Sequence, residues 1–305
     1  MSTFVLGHLS DPHLAPLPKP RLADLAGKRT LGFLNWRRKR HAIHRADVLA
    51  RTVADLKAHA PDHIAVTGDL VNISLADEFA PARAFLETLG PPADVTLVPG
   101  NHDAYVRRAV GHPQAHWGDY MCGDDGAERS AGEPAFPFVR RRGPLALIGL
   151  SSAVPTGPLL ATGRLGIDQL RRLAEILARL GREGVFRVVL IHHPPRSRRS
   201  DHFKRLVDGK ALRAALARHG AELLIHGHDH VHSLQWLEGP RGRIPAVGVP
   251  SASAAPRGGE DDPAGYNLYC IDGTPGAWRC EAISRGLVRE GENMVEIGRT
   301  MLVGD

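Results

Sequence analysis

Short apolar runs rich in valine, isoleucine and leucine recur along the chain, and most of them stop at a polar cluster. Runs of this length bounded by glycine, proline or polar residues are typical of buried β-strands. They predict strands at Phe4–Leu9, His63–Thr67, Val95–Val98, Leu145–Leu150, Val188–Ile191 and Leu223–Ile225.

Between these runs, apolar residues recur about every 3.6 positions, which predicts amphipathic helices. The predicted helices are Ala42–His59, Leu75–Leu89, Ile167–Leu180 and Lys210–His219. Alternating strands and helices indicate an α/β domain with a largely parallel central sheet. The later stretch Leu234–Glu281 has strand-like pieces without long helices, and it predicts an added antiparallel section.

No Gly/Ser-rich linker divides the 305 residues. We therefore predict one domain over residues 1–285, followed by a weakly patterned C-terminal tail at residues 286–305. The net charge of +6 is concentrated, because nine basic residues stand against one acid, Asp24, between Lys19 and Arg45. This concentration marks a basic, cap-like insert at residues 15–41.

The three cysteines form no even-numbered framework and no CxxC pair, which fits a reducing compartment and argues against a zinc–thiolate site. The first residues lack the basic and apolar regions of a signal peptide. No apolar run approaches the ~20 residues that span a bilayer. These features predict a cytoplasmic protein, with contact at the inner face of the membrane as a further option.

Metal-ligating residue types follow five of the six predicted strands. In α/β sheets, ligand sites form beyond the carboxyl ends of the strands, so these side chains are expected to converge. Taken alone, each short motif is common in turns or helix caps. The repetition of the same residue types at five strand ends is what predicts a metal site. The candidate ligands are Asp11, His13, Asp69, Asn101, His192, His228 and His230.

Asp11 and His13 are one residue apart, as are His228 and His230. In an extended backbone such pairs face the same way, so each pair is predicted to reach one ion. Seven oxygen and nitrogen donors without a thiolate exceed the need of one tetrahedral ion. They suit two ions about 3.5–4 Å apart, and the donor types favour Mn, Fe or Zn over Ca.

The ordered motifs D-x-H, G-D, G-N-H-D, H-H-P-P and G-H-x-H resemble those of the calcineurin-like metallophosphoesterase superfamily. The resemblance implies a four-layer α/β/β/α sandwich with two mixed β-sheets. It implies that Asp11, His13 and His230 hold one ion, that Asn101, His192 and His228 hold the other, and that Asp69 bridges them.

The resemblance also implies that His102 contacts the phosphate or protonates the leaving oxygen, with Asp103 orienting its ring. A carboxylate partner would favour the imidazolium form, which suits a general acid. The expected nucleophile is a metal-bound hydroxide. His193 and His226 are predicted to support the ligands or to fill the core.

Within the superfamily, the motifs are most similar to those of class III cyclic nucleotide phosphodiesterases. We therefore expect hydrolysis of a small phosphodiester, with a cyclic nucleotide as one candidate. Arg196 and Arg198 follow H-H-P-P and are candidate substrate-binding residues. A non-enzymatic binding protein that keeps the fold is a further alternative, although no ligand position is lost.

The basic insert leaves another alternative open, a phosphoesterase or pyrophosphatase acting at a membrane on a phospholipid or lipid precursor. Aromatic residues beside a cationic run suit an anionic interface, and the candidate contacts are Phe33, Trp36, Arg37 and Arg38. A second interpretation of the insert is a cap over the metal site that binds an anionic substrate, and a third is a solvated basic face with Trp36 packed inward. Nucleic acid is a disfavoured partner, since only 5% of residues are aromatic and no binding module is present. The oligomeric state is left open.

Overall fold

The computed structural model of the chain describes residues 3–25, 27–124, 135–197, 202–256, 261–290 and 292–304. Within these residues, twelve strands form two six-stranded sheets. The strands are β1 (Phe4–Leu9), β2 (His63–Val66), β3 (Val95–Leu97), β4 (Phe138–Arg142), β5 (Leu145–Gly149), β6 (Phe186–Leu190), β7 (Leu223–His226), β8 (Ser233–Gly239), β9 (Gly242–Gly248), β10 (Gly265–Thr274), β11 (Ala277–Gly286) and β12 (Val295–Val303).

Both sheets mix parallel and antiparallel pairs. The first has the order β12-β11-β10-β1-β2-β3, in which β1, β2 and β3 run parallel and the other neighbours antiparallel. The second has the order β4-β5-β6-β7-β9-β8, with β5, β6, β7 and β9 parallel. The antiparallel section predicted over Leu234–Glu281 is therefore shared between the two sheets.

Helices flank the two sheets. They are α1 (Lys28–Asn35), α2 (His41–Ile43), α3 (Ala46–Ala58), α4 (Ala76–Leu89), α5 (His112–Trp117), α6 (Ile167–Glu183) and α7 (Gly209–His219). None of the helices in the described ranges is long and apolar enough to cross a membrane.

Residues of the second sheet alternate between two apolar clusters. Leu147 and Val188 belong to the core shared with the first sheet, whereas Ile148 and Val189 pack with α6 and α7. Because successive side chains of a strand point to opposite faces, a strand buried on both sides reads as a continuous apolar run. This is the pattern from which the strands were predicted, and the four-layer α/β/β/α architecture is confirmed.

The insert predicted at residues 15–41 is largely helical. A 3₁₀ turn at Leu22–Leu25 precedes α1, and a π-helical turn at Trp36–Arg40 joins α1 to α2. Phe33 and Trp36 are half-buried against a small apolar cluster of Leu17, Ile73, Leu75 and Tyr105. The aromatic residues of the insert therefore attach it to the domain.

The single helix predicted at Ala42–His59 is wrong in one respect, because the chain is extended at His44 and Arg45. His44 forms a bridge with Ala254, and the Arg45 N–H donates to the Ser253 carbonyl at 3.0 Å. These tertiary contacts separate α2 from α3, although the local apolar pattern runs through both.

Val295–Val303 lies in the segment that we predicted as a tail, and it forms β12 at the edge of the first sheet. It pairs antiparallel with β11 from Gly286↔Val295 to Cys280↔Val303. Most of its side chains are exposed, so its sequence carries little of the hydrophobic pattern that predicts a buried strand.

Candidate metal centre

The seven predicted ligands lie together at the carboxyl ends of strands from both sheets. Asp11 and His13 follow β1, Asp69 follows β2, and Asn101 follows β3. His192 follows β6, while His228 and His230 follow β7 in the second sheet.

Five of these residues have positive φ angles, which L-residues adopt at a conformational cost. The prediction that the i, i+2 pairs reach the site from extended backbone is therefore wrong: they converge from tight left-handed turns. The residues and angles are Asp11 (52°), His13 (38°), Asp69 (56°), His228 (71°) and His230 (54°).

Backbone hydrogen bonds hold these turns in place. The Asp11 N–H donates to Gly68 O at 2.9 Å, and the His13 N–H donates to Asp69 O at 3.1 Å. Gly68 has a φ of 97°, and a Cβ on it would overlap the backbone of Gly100. A glycine is required there because the loops after β2 and β3 approach backbone to backbone.

Asp11, His13 and His230 form the first group of donors. His230 Nε2 lies 3.3 Å from Asp11 Oδ1 and 3.3 Å from His13 Nε2. His13 Nε2 lies 3.8 Å from Asp11 Oδ1 and 3.8 Å from Asp69 Oδ2. These atoms surround a space of the size that one cation would occupy.

Asp69, Asn101, His192 and His228 form the second group. His192 Nε2 lies 3.4 Å from Asp69 Oδ2, 3.1 Å from Asn101 Oδ1 and 3.2 Å from His228 Nδ1. The Oδ2 atom of Asp69 therefore faces both groups, which is the position of a bridging ligand.

Backbone carbonyls fix the tautomers of three imidazoles, because a carbonyl can only accept. His13 Nδ1 donates to Val71 O at 3.2 Å, and His192 Nδ1 donates to Thr67 O at 2.7 Å. His228 Nε2 donates to Lys204 O at 2.9 Å, which leaves Nδ1 as its free donor atom. With metal ions bound, each ring would thus present the lone pair of its other nitrogen to an ion.

The electrostatics of this pocket fit bound cations. Asp11 Oδ1 is buried, and its neighbours are the imidazole nitrogens of His230 and His13, at 3.3 Å and 3.8 Å. Burial lowers the pKa of His192, but the Asp69 and Asp11 carboxylates outweigh it and raise that pKa to about 10. Burial is likewise outweighed by Asp11 at His230, whose pKa rises to about 9. The carboxylates draw positive charge into the pocket, and metal ions would displace these protons.

Asp103 does not orient the His102 ring, so that prediction is wrong. Its carboxylate instead accepts hydrogen bonds from four backbone N–H groups that belong to the loops after β2 and β3. The donors are Asp69 (2.8 Å), Gly100 (2.8 Å), Leu70 (2.9 Å) and Val71 (3.2 Å). Asp103 therefore acts as a brace, meaning that its side chain connects the backbones of the two loops that carry Asp69 and Asn101.

The His102 ring lies between the Asn72 carbonyl and the Arg40 guanidinium. Its Nδ1 contacts Asn72 O, and Arg40 Nη1 lies 3.0 Å from its Nε2. Burial and the Arg40 charge lower the pKa of His102 to about 3. The ring is therefore neutral near pH 7, contrary to the predicted imidazolium.

The other predicted residues lie around the centre. His193 is buried with Nδ1 2.7 Å from Ser152 Oγ and Nε2 3.0 Å from Ala161 O, so both ring nitrogens are engaged. His226 is also buried, as expected for a supporting or core residue. Arg196 is exposed, and Arg198 lies outside the described residues.

Several residues at the centre were not predicted from the sequence. A cavity of about 310 Å³ opens over the ligands, and the insert and later loops contribute to its wall. The residues that were not predicted include Asn35, Lys39, Arg40, His44, Lys204 and Asp261. Asn35, Lys39 and Arg40 reach the cavity through the fold of the insert, whereas the others come from segments outside it.

Two mixed sheets carrying a cluster of carboxylate, amide and imidazole donors at their strand ends define a metal-dependent phosphoester hydrolase. The calcineurin-like phosphoesterase family matches residues 4–232, and the chain belongs to that family. Membership implies a dinuclear metal site, and the two donor groups described above are consistent with one.

A relative from Synechococcus sp. is described as a probable cyclic nucleotide phosphodiesterase. It is 28% identical over 236 residues, which cover 76% of this chain and 80% of the relative.

Two solved structures share the fold. A dimetal phosphatase from Danio rerio superposes with a TM-score of 0.64 and 14% identity, over 100% of both chains. A purple acid phosphatase from yellow lupin gives a TM-score of 0.57 and 13% identity, over 97% of this chain and 54% of that one.

Proposed function

We propose that this chain is a dinuclear-metal phosphodiesterase that hydrolyses a small phosphodiester, with a cyclic nucleotide as the first candidate. The observation that carries the proposal is the pair of donor groups that share Asp69 Oδ2. The name of the Synechococcus relative supports a cyclic nucleotide as the substrate.

Asp11, His13 and His230 would hold one ion, and Asn101, His192 and His228 the other, with Asp69 between them. Manganese, iron or zinc suits these donors. Such a pair of ions activates water and offsets charge on the phosphoryl oxygens.

The residues of the chain have separate tasks in this scheme. The backbone carbonyls of Val71, Thr67 and Lys204 keep three imidazoles in the tautomer that ligates. Asp103 holds the loops that carry Asp69 and Asn101. A neutral His102, whose Nδ1 proton is directed at the Asn72 carbonyl, has no N–H left for the phosphate. Its Nε2 would instead hold the Arg40 guanidinium, and the ring would not supply an imidazolium proton.

A substrate panel with the manganese-loaded protein tests the proposal. The panel contains 3′,5′-cyclic nucleotides, glycerophosphodiesters, bis-p-nitrophenyl phosphate, lipid pyrophosphates and phosphomonoesters. We expect kcat/KM to be highest for a diester and lost after chelation. A preference for monoesters would contradict the diesterase assignment, and a chain without turnover would favour the non-enzymatic alternative.

A second candidate function, hydrolysis of a phospholipid or lipid precursor at a membrane surface, is supported by the rim of the cavity. Leu159 is 84% exposed and Phe203 is 62% exposed. Phe203 is next to Lys204 in the chain, and Leu159 is two residues from Ala161; Lys204 and Ala161 both line the cavity. The Phe203 carbonyl accepts from the Ala161 N–H at 2.9 Å, which connects these two loops. Leu31 and Leu34 of α1 are also exposed, whereas Phe33 and Trp36 pack inward.

Exposed apolar residues beside Arg37, Arg38 and Lys39 suit an anionic bilayer. Flotation with vesicles of phosphatidylglycerol and phosphatidylethanolamine separates the two candidates. Charge-dependent flotation that Leu159→Ser/Phe203→Ser weakens would favour the membrane-surface enzyme. Absence of flotation at low salt would favour the small diester.

A further inference from the structure

The insert delivers one guanidinium to the wall of the metal cavity. Arg40 is the last residue of the π-helical turn Trp36–Arg40, and it lines the cavity together with Asp69, Asn101 and His102. Single π-helical turns within α-helices are frequent at functional sites, because the wider turn changes the direction of the side chains that follow.

Arg40 reaches the site without a carboxylate partner. No carboxylate oxygen in the described part of the chain lies within 4.0 Å of its guanidinium, and its side-chain hydrogen bonds are to the His102 ring. Burial lowers the pKa of Arg40, and the Asp69 carboxylate acts in the opposite direction. A half-buried cation without a paired anion is unfavourable, and binding an anionic ligand would offset that cost.

Three carboxylates near Arg40 face the ion positions or a ligand histidine of the proposed centre. Asp11 and Asp69 face the positions of the two ions, and Asp261 Oδ2 lies 3.7 Å from His230 Nδ1. Lys39 and Lys204 line the same cavity and are exposed. Asp229 also lines the cavity, so the wall carries both signs of charge. Its three cations, Lys39, Arg40 and Lys204, outnumber the two acids that do not face the ion positions, Asp229 and Asp261.

We propose that Arg40 is a substrate-binding residue that contacts the non-bridging oxygens of the phosphate group while the His102 ring holds its guanidinium in place. A planar fork of donors matches two phosphoryl oxygens better than a point charge does. This inference rests on the proposed function, and it makes the basic insert a specificity-determining part of the same site.

The test compares Arg40→Gln and Arg40→Lys with the wild type, all loaded with manganese. Arg108, an exposed residue of the 3₁₀ turn Arg107–Ala109, gives the matched control Arg108→Gln. Three quantities are measured: manganese per chain by elemental analysis, inorganic phosphate affinity by calorimetry, and KM and kcat for bis-p-nitrophenyl phosphate.

We expect Arg40→Gln to keep two manganese ions while its phosphate Kd and its KM rise about 10- to 100-fold, the range for a lost hydrogen-bonded charge. Arg40→Lys should recover part of the loss, because it restores charge without the fork. Arg108→Gln should stay within about twofold of the wild type, as surface substitutions usually do.

Two outcomes would overturn the inference. One is a phosphate Kd for Arg40→Gln within about twofold of the wild type, which is less than one hydrogen bond contributes. The other is loss of manganese from both Arg40→Gln and Arg40→Lys, which would make Arg40 a structural support of the centre. A wild-type protein that binds phosphate through Arg40 but cleaves no ester would instead refute the proposed function alone.

Discussion

The floor and the wall of the cavity are built differently. The floor consists of the seven candidate ligands, most of them fully buried and fixed by backbone hydrogen bonds and tight turns. The cations of the wall are Lys39, Arg40 and Lys204, which come from the insert and from a loop after β6 and are exposed or half-buried. Rigid, enclosed donors suit metal chemistry, whereas accessible cations suit the choice of an anionic substrate.

Because of this difference, substitutions that change the catalytic chemistry and substitutions that change substrate preference are expected in different parts of the molecule. The floor comes from five strand ends, so altering it disturbs loops from both sheets at once. The cations of the wall come from one inserted helical segment and one loop. Substitutions in the floor should therefore affect metal content and kcat together, and substitutions in the wall should affect KM first.

The largest effect is expected for Asp69→Asn, which removes the charge that faces both donor groups. We expect kcat/KM to fall by at least about 1000-fold, because a neutral amide neither bridges two cations well nor draws them into the pocket. Elemental analysis should show fewer than two ions per chain. The exposed Asp77→Asn on α4 is the control, and full metal content with near-normal kcat in Asp69→Asn would remove the basis for a shared centre.

A smaller loss is expected for Asp103→Asn, which keeps the shape of the brace but replaces one acceptor oxygen by an N–H donor. Each Asp103 oxygen accepts from two of the four backbone N–H groups, so the amide leaves two of them without an acceptor. We expect metal affinity to fall about 10- to 100-fold, as for other residues that position ligands. Titration with manganese should recover most of kcat, and a kcat that stays low at saturation would assign Asp103 a direct chemical role.

The wall should respond more weakly and in a different parameter. Replacing Lys39 and Lys204 together by glutamine should raise KM about two- to fivefold with kcat unchanged, because exposed charges contribute little each. The effect should shrink at 0.5 M salt, where charges are screened within about 5 Å. A change in kcat without a change in KM would show that floor and wall are not separable.

The sequence predicted the floor better than the wall for a physical reason. A strand buried on both faces must read as an apolar run, and residues at its carboxyl end can only face the same edge of the sheet. The left-handed turns at Asp11 and His228 and the brace at Asp103 depend on hydrogen bonds between distant segments. Arg40 was visible only as one member of a basic run, because nothing local indicates that the π-helical turn directs it inward.

The same limit applies at the edge of the first sheet. The pattern of Val295–Val303 did not predict a strand, since an exposed edge strand needs no apolar face. His44 and Arg45 interrupt a continuous helical pattern through contacts with residues 253 and 254, more than 200 positions away. Elements fixed by their own burial were predictable, and elements fixed by a distant partner were not.

The smallest effect is expected for a substitution that lowers the stability of the fold without touching the floor or the wall. Asp55 on α3 accepts from Arg285 Nε at 2.6 Å and Nη2 at 2.9 Å, which ties the helix after the insert to β11. Asp55→Asn should lower the free energy of unfolding by about 1–2 kcal/mol, the range for a hydrogen-bonded charge. It should leave KM and metal content unchanged, because Asp55 touches neither floor nor wall.

The pKa of Asp55 determines how the stabilisation by this residue changes with pH. Burial raises the pKa of Asp55, but the hydrogen bonds from Arg285 and Tyr266 outweigh it and hold that pKa below its ordinary value. A depressed pKa contributes stability above the unfolded value of about 3.9 that disappears as pH falls through the folded value. Urea unfolding should therefore give the wild type a higher free energy of unfolding than Asp55→Asn at pH 7. The difference between the two proteins should decrease below about pH 4. A difference that is constant down to pH 3 would mean that packing, and not the Asp55 charge, connects α3 to the sheet.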